Sequence, residues 1–312
     1  MKIIKLTNYE SAKVFLINTF SSPTHWPDWN LVISKHYGTN FYYLGAYDKN
    51  RLIGICPIHE SKEGFKIHLN SGQVYYNPYG GWIFNISTNL SLECTPLKYN
   101  QAFQGFTLPA LQEFNVKYAD PLKNEFLTLI IDLGFPYEEI FNRYFEHRVR
   151  KAIRKSIANE VSLIIENDLD KFYPYYYQSC KVRKLEAQTK DFFVDLFEHS
   201  KNIKFEISWA VYKSELLGYL MVVYDKSLCI GFLSYLLPNT PKLGQGDLLI
   251  AESIKHSQQF GCKYFDLCYI EKDRLPAIYN FKRGFSKYEV AITNFSVRSL
   301  PYRILNRLTK RK

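Results

Sequence analysis

Two stretches of the chain share one pattern at a constant separation. Phe41 begins "FYYLGAYDKNRLIGICPI", and Phe205 begins "FEISWAVYKSELLGYLMVV". Each reads as a strand, a short polar turn and a second strand. Ala46 matches Ala210, Leu52 matches Leu216 and Gly54 matches Gly218, all at an offset of 164 residues. A hairpin in an α/β domain gives such a pattern by itself. The offset is about half of the 312 residues, however, and this points to a duplicated domain.

The second half has the clearer element order. "VSLIIE" reads as a strand, and "DLDKFYPYYYQSCKVRKLE" as a helix whose start Pro174 restricts. "KDFFVDLFEHS" is a short amphipathic helix. Three strands follow, near residues 205–212, 216–224 and 228–237. A Gly-x-Gly turn then opens a helix that runs to about Phe260, with Gly261 placed to stop it. "KYFDLCYI" reads as a strand, "RLPAIYNFKRG" as a short helix and "KYEVAITNFSV" as a last strand. The order is thus β-α-α-β-β-β-α-β-α-β. The first half reads as a looser copy, with a helix near residues 11–18 and a strand at "EFLTLIIDL". Its Tyr-, Asn- and Gly-rich middle, residues 70–109, resists assignment. "PYEEIFNRYFEHRVRKAIRKSIANE" reads as a charged helix connecting the halves.

Charge separates the halves. Residues 1–145 carry 12 Lys and Arg against 12 Asp and Glu, and residues 146–312 carry 28 against 18, so the net +10 lies in the second half. A basic half suits a polyanionic partner such as a nucleotide, RNA or a lipid surface; a solvated basic face is the alternative. The six cysteines form no C-x-x-C pair and sit mostly among apolar residues, as buried reduced thiols do. The seven histidines show no metal-ligand spacing, so no metal is expected. The N-terminus turns polar too early for a signal peptide, and no apolar run reaches the ~18 residues of a membrane helix. A cytoplasmic protein is the expectation.

Several stretches are candidates for chemistry. In "PKLGQGD", residues 241–247, Gly244 and Gly246 precede a helix. Glycines let the backbone approach a phosphate, and the first amides of a helix lack internal partners and carry the positive end of its dipole. Lys242, Leu243 and Gln245 complete this candidate cradle, and Asp247 fits a helix cap better than a phosphate contact. A plain turn is the alternative. "HRVRKAIRKS" places Arg150 and Arg154 four apart on one helical face, a geometry suited to a diphosphate or simply to solvent, and Arg183 is a further candidate anion contact. "YNPYGGWIF" offers Tyr79 and Trp82 as stacking rings beside a Gly pair; an aromatic core is the alternative. "PTHWPDW" could cap the same cleft or simply anchor a surface loop.

The element order with its Gly-x-Gly turn resembles the GNAT acyltransferase superfamily. The stretches "YNPYGGWIF", "RVRKAIRKSIANEV", "YFDL" and "YNFKRGF" make the whole chain similar to the FemAB-like group, in which two GNAT-type domains occur in tandem. The resemblance implies an α/β fold of two tandem GNAT-like domains, each a mixed central sheet flanked by helices. The expected division is residues 1–145, a degenerate acceptor-side domain; 146–160, the connecting basic helix; 161–298, the donor-binding domain; and 299–312, a basic tail.

The family's phosphate signature opens with Gln or Arg, where this chain has Pro241. The retained glycines imply acyl-CoA as co-substrate, and the expected acceptor is a nucleotide-linked amino sugar of surface-glycan synthesis. A neutral amine would attack the thioester directly. Backbone N–H groups of the strand at 228–237 would meet the oxyanion, and the leaving thiolate, of pKa ~8.5, would need little help. By resemblance Lys282 lies near the reacting groups, Tyr279 could protonate the leaving sulfur, and Asp266 could orient or deprotonate the amine. In the family that tyrosine stands where this chain has Asn280. The alternatives are an aminoacyl-tRNA-dependent transferase acting on a peptidoglycan precursor and a non-catalytic protein binding RNA or a membrane. DNA and RNA are not the expected partners. Leu300, Ile304 and Leu308 share a face of the basic tail and leave peripheral membrane contact open.

Overall fold

The computed structural model describes residues 1–6, 8–72, 76–85, 90–91, 101–107, 116–117 and 126–309. Cys94 and the end of the basic tail, residues 310–312, lie outside them. In chain order the strands begin with β1 (Lys2–Lys5), β2 (Asn40–Asp48), β3 (Arg51–Glu63), β4 (Lys66–Ser71), β5 (Ile83–Phe84), β6 (Leu90–Ser91), β7 (Gln101–Thr107), β8 (Val116–Lys117) and β9 (Phe126–Asp132). They continue with β10 (Ser162–Ile165), β11 (Lys204–Tyr212), β12 (Glu215–Tyr224), β13 (Leu228–Leu236), β14 (Tyr264–Asp266), β15 (Ile270–Glu271), β16 (Glu289–Ala291) and β17 (Thr293–Arg298). The α-helices are α1 (Glu10–Ile17), α2 (Pro27–Tyr37), α3 (Tyr137–Glu139), α4 (His147–Ala158), α5 (Leu169–Arg183), α6 (Lys190–His199), α7 (Gln245–Gln259), α8 (Pro276–Arg283) and α9 (Leu300–Thr309).

The chain divides into two compact units. Residues 1–127 with 290–312 form one, and residues 128–289 form the other. The first unit holds a mixed sheet in the order β1-β2-β3-β4-β7-β17, with β5 beside β3. Within it β4 and β7 run parallel, and the other pairs are antiparallel. Its core gathers Tyr42, Ile53, Ile58, Leu69, Trp82, Phe84 and Phe103. The second unit holds a mixed sheet in the order β10-β11-β12-β13-β14-β9-β15, with β13 and β14 parallel.

The first six strands of the second order correspond to the six of the first, and the repeat extends to irregularities. In the first unit Ala46 faces Gly54 and Tyr47 faces Leu52, so Ile53 is an extra, bulged residue. In the second Ala210 faces Gly218 and Val211 faces Leu216, so Leu217 is the extra one. Both bulged side chains are buried. A bulge inserts one residue and bends its strand, so its recurrence at the 164-residue offset supports duplication.

The division differs from the one read off the sequence. The second unit begins at Thr128, not at the helix of residues 146–160, and residues 290–298 belong to the first. β17 pairs with β7 and completes the first sheet, while β9 takes the matching place beside β14. Each sheet therefore receives its sixth strand from outside its own sequence block. An apolar strand such as "FLTLIID" carries a pairing face but no label for which sheet it joins.

Local signals set the helix ends. Asp168 caps α5 by accepting from the Asp170 and Lys171 amides at 2.8 and 3.1 Å. That cap starts the helix at Leu169, five residues before Pro174, which lies inside it, so the cap rather than the proline decides where the helix begins. Gly261, at φ 79°, follows the last turn of α7 as expected.

Candidate active site

The candidate residues for acyl transfer meet in the second unit around the start of α7 and the open end of its sheet. α7 begins at Gly244, whose φ of 88° lies in the left-handed region. Its first intrahelical bond runs from the Leu248 amide to the Gly244 carbonyl at 3.1 Å. The amides of Gln245, Gly246 and Asp247 therefore precede the helical ladder and point out of the helix end. The Gln245 side chain faces inward: its oxygen accepts from the Leu243 amide and its nitrogen donates to the Pro241 carbonyl, both at 2.9 Å.

α4 braces this turn. Val149, Ile153 and Ser156 form its buried face. Lys155 Nζ donates to the Lys242 carbonyl at 2.6 Å, and Ser156 Oγ to the Leu243 carbonyl at 2.7 Å. A Cβ on Gly244 would stand 2.4 Å from the Ala152 carbonyl oxygen. Gly244 is thus needed for its dihedral and for close helix packing. Gly246 has more freedom: a Cβ there would meet Leu236 Cδ1 at 3.1 Å and Phe281 Cζ at 3.7 Å.

Charge at the helix start is mixed. Burial pushes the Asp247 carboxyl up to about 6, and Arg148 and the carboxyl's hydrogen bond with its own backbone amide act in the opposite direction. The Arg148 guanidinium also donates to the Glu146 carboxylate at 2.9 Å and to the Asn280 and Phe281 carbonyls at the end of α8. Arg148, Ala152 and Ser156 follow one another at four-residue spacing, so they share the face of α4 that meets α7. Arg148 is not among the residues singled out by the sequence; the small residues at Ala152 and Ser156 are the signal that marks this face as the close-packed one.

The sheet opens beside this turn. Parallel pairing of β13 with β14 ends at Ile230 and Asp266, while β13 continues to Leu236. Against β12, Met221 faces Leu233 and Val222 faces Gly231, which leaves Phe232 as a bulged residue. β13 thus runs six residues past its last register pair with β14. In that stretch the Ser234 carbonyl accepts from Arg183 Nη2 at 2.8 Å, and the same guanidinium lies 5.9 Å from the Tyr235 ring centroid. Arg183, expected as an anion contact, therefore reaches the open strand.

Asp266 and Lys282 come together through Cys268. Asp266 is fully buried and accepts from Thr128 Oγ1 and from the Cys268 amide, the latter at 2.8 Å. That bond holds Cys268 at a left-handed φ of 63°. Lys282 Nζ donates to the Cys268 carbonyl at 2.9 Å. Burial lowers the Lys282 pKa, with Cys268 and Asp266 opposing, and burial pushes the Cys268 thiol up to about 12. The thiol is neutral at physiological pH and is no nucleophile. Asp266 serves the turn, as its hydrogen bonds to Cys268 and Thr128 require.

The remaining candidates sit elsewhere or are already engaged. The Tyr279 hydroxyl donates to the Glu289 carboxylate, and Lys272 Nζ lies 4.4 Å from its ring centroid. Arg150 donates to the Asn142 and Phe145 carbonyls and so secures the turn before α4. Arg154 is exposed, 5.8 Å from the Phe141 ring centroid. Tyr79 and Trp82 belong to the first unit, and both are fully buried. Trp82 stacks on Phe84 at 5.5 Å within the core, so these two rings fill the interior and offer no face to an acceptor. Among the described residues no group of acidic, His and Cys side chains could hold a metal ion, and no helix is long and apolar enough to cross a membrane.

Residues 143–283 match the family described as Acetyltransferase (GNAT) domain. No curated protein is significantly similar to the chain in sequence. Among solved structures, FemX superposes with a TM-score of 0.71 at 9% identity, over 99% of each chain. A conserved protein of unknown function from Bacteroides thetaiotaomicron gives 0.57 at 9% identity, over 95% of this chain and all of that one. A tandem GNAT protein from the clavulanic acid biosynthesis pathway gives 0.53 at 10% identity, over 96% of this chain and 99% of that one. Residues 143–283 thus match a GNAT acetyltransferase domain, and the whole chain shares the fold of FemX and of the tandem GNAT protein.

Proposed function

We propose that the protein is an N-acyltransferase that moves an acyl group from acyl-CoA to the amino group of a nucleotide-linked amino sugar for surface-glycan synthesis. The observation that carries the donor reading is the start of α7. The outward amides of Gln245 and Gly246, the dipole of a 15-residue helix and Arg148 meet there, and Gly246 stands against Leu236 at the end of β13. These groups fit a diphosphate, and Lys242, exposed on the same turn, adds a positive charge. Asp247 opposes an anion here, and Glu146, paired with Arg148, offsets part of that cation's charge. When bound, the thioester supplies an activated carbonyl.

The protein's part is to orient and to stabilise. A neutral acceptor amine attacks the thioester carbon, forming the C–N bond. The C–S bond breaks as the oxyanion collapses, and the amine's proton leaves with solvent or with the thiolate. The main chain of β13 is the element proposed to supply the oxyanion donors. Lys282 adds positive charge close by, and Asp266 positions it through the Cys268 turn. The acceptor reading rests on the basic second half of the chain and on Arg183 beside β13.

Turnover tests the proposal. The protein is incubated with a panel of acyl-CoAs and nucleoside-diphosphate amino sugars, and release of free thiol is followed. Acceptor-dependent thiol release is expected; its absence across the panel contradicts the acceptor reading. A second reading, transfer from an aminoacyl-tRNA, draws support from Asp247, because an ester donor needs no diphosphate at this turn. It predicts thermal stabilisation by charged tRNA and none by CoA.

A further inference from the structure

The first unit carries a surface that acyl transfer does not use. α9 follows β17, and Ser299 starts it by accepting from the Tyr302 amide through its Oγ at 3.3 Å. Tyr302 faces inward: it is buried, its ring meets the His68 ring edge-on at 5.6 Å, and its hydroxyl lies 3.4 Å from His68 Nδ1. The opposite face of the helix is open. Leu300 is 70% exposed and Ile304 52% exposed, one turn apart. Arg303 stands beside them, exposed, with its Nε donating to the Arg298 carbonyl at 3.2 Å. From Val290 to Lys312 the sequence contains no acidic residue and six basic ones.

A second exposed apolar group lies at the same end of the same sheet. The Ser299 amide donates to the Gln101 carbonyl at 3.0 Å, and Gln101 pairs with Ile67, so α9 leaves the sheet level with the start of β4. There the β3–β4 hairpin turns through Gly64 and Phe65, between the paired residues Glu63 and Lys66. Phe65 at this tip is 85% exposed. The acid nearby, Glu63, is paired with His68 at 3.2 Å.

We propose that this end of the first unit docks on an anionic phospholipid surface. Leu300, Ile304 and Phe65 enter the acyl–headgroup boundary while Arg298 and Arg303 lie among the phosphates. Charge complementarity selects an anionic partner. The exposed aliphatic pair beside the arginines selects lipid over RNA, because a nucleic-acid phosphate lattice leaves Leu300 and Ile304 in water, whereas a bilayer interface removes them from it. The surface is built on two separate elements, and such anchoring takes two signals to be stable.

The test is co-sedimentation of the full chain with phosphatidylcholine vesicles and with vesicles containing about 30% phosphatidylglycerol, at ~0.15 M salt. Binding to the anionic vesicles at least about tenfold tighter than to the neutral ones is expected. L300S/I304S, which leaves Tyr302 and the arginines in place, should weaken binding about tenfold, and Phe65→Ser should weaken it about threefold. Phe65→Trp gives an independent readout: the fluorescence of this variant should shift to the blue on vesicle addition and be quenched by brominated lipid. Thermal melts establish that each variant is folded. No vesicle binding, equal binding to neutral vesicles, or unchanged binding by L300S/I304S overturns the proposal. So does tighter binding to an RNA oligonucleotide that competes with vesicles and is indifferent to L300S/I304S. If L300S/I304S does not fold, an unshifted emission spectrum of the Phe65→Trp variant overturns it instead.

Discussion

Asp247 sets the sign of the pH dependence at the proposed donor site. Its carboxyl is raised from 3.8 to about 6 by burial. Between those values the folded chain holds this proton more tightly than the unfolded one, so its contribution to stability is present at the acid end and is lost as pH rises through about 6. Ligand binding follows the same direction, since the ionised carboxylate repels a diphosphate and the neutral acid does not. CoA should bind more tightly at about pH 5 than at about pH 7.5, and Asp247→Asn should bind as tightly at both. Calorimetric titration at the two values checks this; an Asn variant that retains the pH dependence would place its origin elsewhere. Lys282 is the matching test for chemistry. Its ammonium donates to the Cys268 carbonyl next to the open strand. Lys282→Met should lower kcat by about 10²-fold with little change in KM if the charge acts in the transition state. A purely structural lysine would instead show a lowered melting temperature and a nearly normal kcat.

The contact of α4 with α7 shows how one element shapes another. Gly244 combines a left-handed φ with a carbonyl oxygen 2.4 Å from where its Cβ would sit. Gly261 has φ 79° and open space around it. Gly244→Ala should therefore cost more than about 2 kcal/mol, against about 1 kcal/mol for Gly261→Ala, as read from chemical denaturation. Equal costs would mean that α4 yields at Ala152. The glycine turn and the basic helix are each visible in the sequence, but their contact is not. Helix periodicity gives a face, not the partner that covers it. Arg150 and Arg154 are the conspicuous residues of α4, although Ala152 and Ser156 form the contact. The same limit hides Thr128, which reaches Asp266 across 138 residues of chain. The aromatic run at Tyr79 and Trp82 reads equally as a stacking platform and as a core, and burial decides for the core.

For the whole molecule, duplication is legible at the paired hairpins, where strand period, turn and glycine recur together. The exchange of β9 and β17 is not, because neither the apolar run of β9 nor the alternating pattern of β17 carries a label for the sheet it joins. It predicts that deleting residues 290–312 strips β17 from β7 and unfolds the first unit while the second still melts cooperatively. Limited proteolysis followed by mass spectrometry distinguishes that outcome from a chain that stays intact throughout. The central claim concerns the donor: the start of α7 grips the diphosphate of an acyl-CoA. Thermal-shift titration with acetyl-CoA, acetyl-pantetheine and aminoacyl-tRNA tests it most directly. The account predicts stabilisation by acetyl-CoA with affinity about 10²-fold above that for acetyl-pantetheine, which carries the thioester but no diphosphate. Equal affinity for the two thioesters, or stabilisation by the tRNA alone, would contradict it.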